Sequence, residues 1–354
     1  MGLLETTLKD IRPLDNEAAW AADARLNLLT KPPGSLGYLE EIIRRYAAIR
    51  RDNGAKLGRG ALAVFVADHG IAEEGVSAFP QAVTAEMLRN IASGGAAISV
   101  LARRFGYRLK VVDVGVKIDT SAKPLAGVTY RRIAAGTRNF LSAPAMTPGD
   151  AVRAIEAGIV TARELAGDGA TLIGIGDMGI ANSTSAAAIL SALGEVPPAA
   201  IVGRGTGLDD AGVRRKTEVV ERALELHKSA LSGGVSIVAA IGGFEIAAMV
   251  GVCLGAAALN VPVVVDGFIA TSAAAVAERI QPGLFDHMFF SHRSAEGGHA
   301  LALERFKVRP VLDLDLRLGE GTGAAIAMNV IESALALFHE MATFESAGVS
   351  GKVR

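Results

Sequence analysis

The sequence predicts an α/β fold in which a large parallel sheet, Rossmann-like in layout, carries helices on both faces. Short apolar runs alternate with helical stretches along the middle of the chain, as in repeated strand–helix–strand units. Several runs end in glycine or Asp-Gly, and half of the 354 residues are hydrophobic, which is ample for a sizeable core. The predicted strands are residues 61–70, 109–115, 170–176, 199–205, 236–243, 261–267 and 287–292.

Both ends of the chain have a different pattern, which predicts helices. Near the N-terminus, AAWAADARLNLL and LEEIIRRYAAIRRD are separated by the Pro-Gly turn of TKPPGSLGYLE. At the C-terminus, AAIAMNVIESALALFHEMATF is also helical in pattern. We therefore expect a small helical domain of residues 1–55 plus 325–354, beside a large α/β domain of residues 56–324 that carries the binding site.

Composition argues against several classes of function. The net charge of −1 and the 5% of aromatic residues argue against a nucleic-acid partner, because duplex binders need a basic surplus. The single cysteine, Cys253, excludes a disulfide framework and fits the cytoplasm. The uncharged run 246–265 contains Asn260 and Pro262, so it fits a buried helix and strand better than a membrane span. We expect no membrane association.

In a parallel sheet, ligands bind beyond the carboxyl ends of the strands, so glycine-rich strand ends are candidate sites. The segment GIGDMGIANST places Gly174, Gly176 and Gly179 in the G-x-G-x-x-G spacing of a dinucleotide site. Such a site needs an acid at the end of the next strand, where this chain offers Arg204 and no acid before Asp209. Tight strand–helix packing and an anion seat at a helix N-terminus are the alternatives.

The segment GRGTGLDDAGVRRK suits a monophosphate. Its glycines let a ligand approach the backbone closely. Its cationic side chains are Arg204, Arg214, Arg215 and Lys216. The alternative interpretation is a solvated helix start that Asp209 and Asp210 cap. The spacing is not that of an ATP P-loop.

The loop EEGVSAFPQAVT has the residue types that bind a planar heterocycle. Phe79 offers a stacking face and Gln81 an amide. Equally, Phe79 can simply anchor the loop to the core.

Histidines and one Asp-His pair are further candidates. His287, His292 and His299 lie in HMFFSHRSAEGGH, but their spacing matches no usual zinc site, and we predict no metal. Asp68 and His69 form either an acid–base pair at a strand end or a pair that satisfies a loop.

Glu320 is an unusual carboxylate, because Gly319 and Gly321 flank it and apolar runs lie on both sides. The glycines let a ligand approach closely, and sparse water raises the pKa of a carboxylate and makes it a better base. A carboxylate with a purely structural role would instead lie on a solvent-exposed face or opposite a cation. We interpret Glu320 as functional.

An ordered series of motifs, which runs almost from end to end, resembles the nicotinate-nucleotide–dimethylbenzimidazole phosphoribosyltransferase family. The motifs include LLTKPPGSLGYLE, ADHGIAEEGVSAFPQAVT, GTRNF, GDMGIANSTSAAA, VGRGTGLDDAG, VDGFI, SHRSAEGGH and LDLDLRLGEGTGAA. The resemblance implies transfer of 5-phosphoribosyl from nicotinate mononucleotide to 5,6-dimethylbenzimidazole, with α-ribazole 5'-phosphate and nicotinate as products, for the lower ligand of cobalamin. It also implies a homodimer and no metal or redox cofactor.

The resemblance further implies roles for particular residues. The catalytic base is Glu320. The phosphoribosyl group is bound by Asp177, Gly179, Gly203, Arg204, Gly205, Thr206, Gly207 and Lys216. The acceptor base is bound by Ser77, Phe79, Gln81, Met178 and Leu318.

Two positions depart from the family pattern, which is usually GEMGIGNTT where this chain has GDMGIANST. Asp177 replaces a glutamate and Ala181 replaces a glycine, so the acceptor can differ and be another benzimidazole, a purine or a phenol. The other classes considered are an NAD(P)-dependent oxidoreductase, a PRPP-dependent transferase and a non-catalytic binding protein. None of these explains the whole series of motifs.

Overall fold

The chain folds around one sheet. The computed structural model describes residues 2–52, 58–121 and 123–350. Within those ranges the sheet has seven strands, all paired in parallel. The strands are β1 Arg59–Ala67, β2 Arg108–Gly115, β3 Val128–Tyr130, β4 Ala170–Met178, β5 Val263–Val265, β6 Met288–His292 and β7 Pro310–Leu312.

The strand order across the sheet is β3-β2-β1-β4-β5-β6-β7, so the order reverses between β1 and β4. In register, Val66 of β1 pairs with Met178 of β4, which brings the carboxyl ends of these two strands side by side. A crevice at such a reversal is where open parallel sheets bind ligands. The predicted parallel α/β fold is confirmed, and the topology selects one strand pair as the place for a site.

Helices cover both faces of the sheet. The side chains of β1 alternate, with Ala63 and Phe65 in one apolar core and Leu62 and Val64 in the other. Because both faces are buried, the strands read as continuous apolar runs rather than alternating ones. The helices are α1 Leu3–Asp10, α2 Asn16–Leu28, α3 Tyr38–Arg50, α4 Ala82–Ser93, α5 Ala97–Phe105, α6 Pro148–Gly167, α7 Asn182–Gly194, α8 Pro198–Ile201, α9 Asp210–Leu226, α10 Gly234–Ile241, α11 Phe244–Ala258, α12 Phe268–Ile280, α13 His299–Arg305 and α14 Thr322–Glu340.

Two of the predicted strands are wrong. Residues 199–205 begin in the short helix α8 and continue as a turn. Pro197 and Pro198 precede them, and proline favours a helix start over a central strand because it has no N–H to donate. Residues 236–243 lie mostly in α10, which is buried almost all round, and such a run has no periodicity that separates helix from strand.

Two strands are absent from the prediction. β3 and β7 have three residues each, form the two edges of the sheet and are only partly buried. A segment of three residues is too short for an alternating pattern, so the pairing partner decides its conformation.

The two ends of the chain meet on one face of the sheet. Leu29 and Thr343 form an antiparallel bridge, and the guanidinium of Arg25 donates to the carbonyl oxygens of Phe338 and His339 at 2.9 and 3.1 Å. Among the described helices, α14 alone has the length and hydropathy to cross a membrane. Its apolar residues, Ala324 and Met328 among them, pack in the core beneath the sheet, which accounts for its hydropathy.

Candidate active site

A cavity of about 330 Å³ opens at the carboxyl ends of β1 and β4, where the strand order reverses. It lies beside the turn that follows β4 and the start of α7. Its walls bring together segments that are far apart in the chain. The predicted site residues in its lining are Phe79, Asp177, Met178, Gly179, Gly205, Thr206 and Leu318.

Other predicted residues lie around this cavity rather than in its lining. Gly203, Arg204 and Gly207 line an adjoining cavity of about 760 Å³. The hydroxyls of Ser77 and Thr206 lie 3.2 Å apart and link the loop of Phe79 to the glycine-rich loop.

Gln81 is not in the lining of the main cavity. It lines a separate cavity of about 350 Å³, and its amide donates to the carbonyl of His69 at 2.9 Å. Its side-chain oxygen lies 3.4 Å from Nζ of Lys117. The amide is therefore occupied by contacts within the protein.

Glu320 is buried at the edge of the main cavity, next to Gly319, which lines it. Its backbone is left-handed, with φ of 62° between glycines at 84° and 90°, a conformation uncommon for a residue with a side chain. Oε2 accepts a 3.5 Å hydrogen bond from the backbone N–H of Ile98 at the start of α5. Burial, and then the nearby charge of Asp266, raise the pKa of Glu320. A buried carboxylate with a raised pKa is suited to accept a proton.

Asp177 is a second buried carboxylate in the cavity wall. Nδ2 of Asn182 donates to its Oδ2 at 2.8 Å. Burial first, and then the charges of Asp266 and Glu245, raise the pKa of Asp177 well above its usual value. The environment therefore favours the protonated form of this side chain.

Lys216 supplies a cation beneath the glycine-rich loop. Its side chain has no exposed surface, and Nζ donates to Oγ of Ser183 at 2.8 Å. A Cβ added to Gly205 would lie 3.2 Å from Nζ, so the glycine backbone passes close over the ammonium group. Burial lowers the pKa of Lys216 to about 8. An ammonium group, open backbone and a helix N-terminus are the groups with which proteins bind anions, so we call this place the candidate anion seat.

The G-x-G-x-x-G segment does not form a dinucleotide loop. Gly174 and Gly176 lie inside β4, and only Gly179 lies in the turn. A Cβ on Gly176 would lie 2.3 Å from the backbone nitrogen of Gly321, so this glycine makes room for the turn of Glu320. The close approach at Gly176 agrees with the first alternative to a dinucleotide site, tight packing.

The side chains of Asp68 and His69 bond to other groups rather than to each other. His69 pairs with two other buried side chains, Glu245 at 2.5 Å from Nε2 and Ser185 at 3.1 Å from Nδ1. Oδ2 of Asp68 instead accepts from the backbone N–H of Lys117 at 2.7 Å. Asp68 therefore holds the loop of Lys117, whereas the side chain of His69 links helices α7 and α11.

Two of the three histidines of HMFFSHRSAEGGH, His292 and His299, have ring centroids 6.4 Å apart, whereas His287 lines a different cavity. His299 accepts from the N–H of Ser294 and contacts Thr271, and burial lowers its pKa to about 3. Across the described ranges, no three His, Cys, Asp or Glu side chains are grouped as metal ligands.

Several polar residues in the lining of the main cavity are not among the predicted site residues, namely Asn182, Ser183, Asp266, His292, Ser294, Glu296 and Arg317. Asp266, His292 and Glu296 all lie in its lining and are buried. Oε1 of Glu296 accepts from the N–H of Gly205 at 2.8 Å and so fixes the glycine-rich loop. Asp266 directly follows β5. Its position at the end of a predicted strand is the feature of the sequence that could have identified it as a site residue.

Comparison with known proteins shows the family of this chain. A family model described as phosphoribosyltransferase matches residues 11–349. The nicotinate-nucleotide–dimethylbenzimidazole phosphoribosyltransferase of Chloroflexus aggregans is 48% identical over 352 residues, 99% of either chain. The protein of the same name from Geobacter sp. strain M21 is 45% identical over 350 residues, 99% of this chain and 100% of the relative.

Solved structures have the same fold. The crystal structure of CobT from Thermus thermophilus superposes with a TM-score of 0.90 at 46% identity, over 94% of this chain and 99% of that one. A second structure from the same organism, of nicotinate-nucleotide–dimethylbenzimidazole phosphoribosyltransferase, superposes with a TM-score of 0.89 at 45% identity, over 96% and 100% of the two chains.

Proposed function

Because this chain belongs to the nicotinate-nucleotide–dimethylbenzimidazole phosphoribosyltransferase family, we propose that it transfers 5-phosphoribosyl from nicotinate mononucleotide to 5,6-dimethylbenzimidazole. The products are α-ribazole 5'-phosphate, a precursor of the lower ligand of cobalamin, and nicotinate. The observation that carries the proposal is the buried carboxylate of Glu320, beside a cavity that also borders the candidate anion seat.

In the proposed reaction the bond between the ribose carbon C1' and the pyridinium nitrogen breaks, and its electron pair stays with nicotinate. A nitrogen of the benzimidazole forms the new bond to C1' from the opposite face, so the configuration inverts from β to α. The other nitrogen of the acceptor becomes more acidic and gives its proton to Glu320. The leaving group departs neutral at its ring nitrogen, so one base is sufficient. Bringing two ligands together supplies much of the rate.

We assign the remaining residues to two subsites. The phosphate lies on the glycine-rich loop near Gly179, with Lys216 as its cation, since these groups surround the candidate anion seat. The acceptor lies against Phe79, Met178 and Leu318, which line the cavity with apolar surface. Half or more of the Phe79 and Leu318 surfaces is exposed, so both are free to contact a flat ring.

The test is nicotinate release from nicotinate mononucleotide with and without dimethylbenzimidazole, in buffer with EDTA and no magnesium. We expect release only when the acceptor is present, and loss of at least about 100-fold in kcat for Glu320→Gln, because a general base contributes about 10²–10⁴-fold. No metal or redox cofactor should be needed.

A matched control is Glu332→Gln. Glu332 is a partly buried glutamate of α14 whose pKa is raised by burial, and it contacts Tyr107 away from the cavity. This variant should keep the turnover of the unmodified enzyme. Equal losses in both variants, or release without any acceptor, would contradict the proposed role of Glu320.

The acceptor itself is a separate question, because Asp177 stands where the family pattern has a longer acid. Asp177→Glu should change the relative kcat/KM values across a panel of benzimidazoles, purines and phenols, since the carboxylate would move by about one methylene. Identical preferences in both proteins would show that Asp177 does not contact the acceptor.

We also propose a homodimer located in the cytoplasm, on the basis of the family resemblance and of the cysteine usage. The contacts of Arg25 and Leu29 with the C-terminal segment support the proposed small helical domain of residues 1–55 plus 325–354 beside the large domain of residues 56–324.

A further inference from the structure

Asp266 is a buried carboxylate of the cavity wall that takes no part in the reaction as proposed above. It follows β5 and is 1% exposed. Oδ2 accepts from the backbone N–H of Gly321 and Oδ1 accepts from that of Ala324, both at 3.0 Å. These N–H groups begin α14 and have no partner within the helix, so Asp266 caps this helix from a different strand.

This cap is needed because the local sequence provides none. The N-cap residue of α14 is Gly321, which has no side chain to accept a hydrogen bond. The preceding Glu320 has a left-handed backbone, which costs free energy for a residue with a Cβ. Gly176 on β4 lets the turn approach closely. The two hydrogen bonds to Asp266 therefore hold the turn of Glu320 in a conformation it would not otherwise prefer.

Asp266 also brings negative charge to the site. The ionisable groups around it are Asp177 at the end of β4, Glu320 in the turn, and His292 of β6, whose Nδ1 lies 3.9 Å from Oδ1. The negative charge of Glu245 on α11 also raises the pKa of Asp177. Burial lowers the pKa of His292, so the imidazole is biased towards its neutral form and does not cancel the carboxylate.

We propose that Asp266 is a positioning residue for the proposed base, which holds the Glu320 turn through Gly321 and Ala324 and keeps Glu320 basic through its charge. This role depends on the proposed transferase reaction. Because Asp266 uses both oxygens for backbone N–H groups, it acts through Glu320 and does not itself take the proton of the acceptor.

The test compares Asp266→Asn with unmodified enzyme in the nicotinate-release assay across a range of pH. Asparagine removes the charge and one of the two acceptors. Glu320 must be deprotonated to act, and a neighbouring negative charge raises its pKa, so the acidic limb of the kcat profile should move to lower pH. In addition, kcat at the optimum should fall about 10- to 100-fold, since a displacement of about 1 Å can cost about 100-fold, while KM for nicotinate mononucleotide stays constant.

Asp266→Glu separates position from charge. It keeps the charge but moves the carboxylate by one methylene, so kcat should fall while the acidic limb stays where it is. If Asp266→Asn does not fold, Asp266→Glu tests the positioning role. An unchanged kcat in Asp266→Glu would overturn that role.

Asp113→Asn is the matched control for structure alone. Asp113 is a buried residue near the end of β2 and also accepts from two backbone N–H groups, those of Gly115 and Val116 at 3.0 and 2.9 Å. The variant should lose stability with an unmoved pH profile. An unmoved acidic limb in Asp266→Asn would overturn the proposal, whereas an inactive unmodified enzyme would instead contradict the transferase function.

Discussion

Lys216 illustrates how burial tunes a single residue of the site. The ammonium group has no exposed surface and contacts Ser183 and the carbonyl of Gly203. Burial disfavours the charged form of a lysine, which is the cause of its lowered pKa. In the proposed function this position favours anion binding, because a bound phosphate would neutralise the buried ammonium group.

We therefore expect kcat/KM for nicotinate mononucleotide to decline as the pH rises through about 8, the pKa of Lys216 in the free enzyme. The cation that attracts the phosphate is present below this pH and lost above it, and kcat/KM reports groups of the free enzyme. Initial rates at nicotinate mononucleotide concentrations well below KM measure kcat/KM at each pH.

Lys216→Met should lower kcat/KM at neutral pH and remove the alkaline decline. The control is Lys228→Met, which removes an exposed lysine and should leave the profile unchanged. If the alkaline decline of kcat/KM persists in Lys216→Met, another group causes the decline.

The backbone conformation of Ala181 should have a measurable effect on stability. It precedes α7 with φ of 71°, and its methyl group is buried. Replacement by glycine relieves about 1–2 kcal/mol of left-handed strain. The same change loses about 0.8 kcal/mol of methyl burial and about 0.4–1 kcal/mol through the entropy of the unfolded chain.

These opposing effects nearly cancel, so Ala181→Gly should change the free energy of unfolding by less than about 1 kcal/mol. Ala186→Gly, inside the same helix and fully buried, has no strain to relieve and should cost about 2 kcal/mol. Urea denaturation of both variants measures the difference. Equal losses would mean that the backbone at Ala181 is not strained.

Helices α6 and α11 pack closely enough for their backbones to touch. A Cβ on Gly158 would lie 1.8 Å from the carbonyl oxygen of Ala248, and a Cβ on Gly251 would lie 1.8 Å from that of Ile155. The two glycines thus let the helices approach from both sides. The pair forms the layer behind β1 and β4 and supports the strands that carry the site.

Gly158→Ala should force these helices apart and lower the free energy of unfolding by about 3 kcal/mol or more, at the upper end of the cost of overpacking. In the same helix, a Cβ added to Gly167 would have no atom of the described residues within 4 Å. Gly167→Ala should therefore stabilise the protein by about 0.5–1 kcal/mol. Urea denaturation distinguishes them, and equal small effects would contradict the close packing.

The sheet as a unit needs cover on both faces, and one face is covered by helices from opposite ends of the chain. The surface of this layer includes Trp20 and Leu28 of α2, which are 70% and 59% exposed in the isolated chain. We therefore take α2 as the candidate contact of the proposed homodimer, to be tested directly.

For the proposed homodimer we expect sedimentation equilibrium to give twice the 36.5 kDa mass of one chain at micromolar concentration. Trp20 is the only tryptophan in the sequence, so its emission reports whether α2 is covered. A shift to the red on dilution would place α2 in the interface, and constant emission would place the interface elsewhere. A one-chain mass at every concentration would contradict the dimer.

The parallel α/β class could be predicted from the residues alone, because each strand–helix unit is encoded by neighbouring residues. Glu320 and the segment with Lys216 could be singled out in the same way, since glycines beside charged residues are a local pattern. Prediction failed at residues 236–243, where a run that is buried all round carries no periodic signal.

Which of these segments meet depends on the tertiary fold. Asp266 and Gly321 are 55 residues apart in the chain and are joined by a hydrogen bond. Gly176 resembles part of a nucleotide motif, yet its function is to admit the turn of Glu320. Such contacts depend on strand order and on helix approach, which no local pattern specifies, because the free energy that selects them comes from packing between distant parts of the chain.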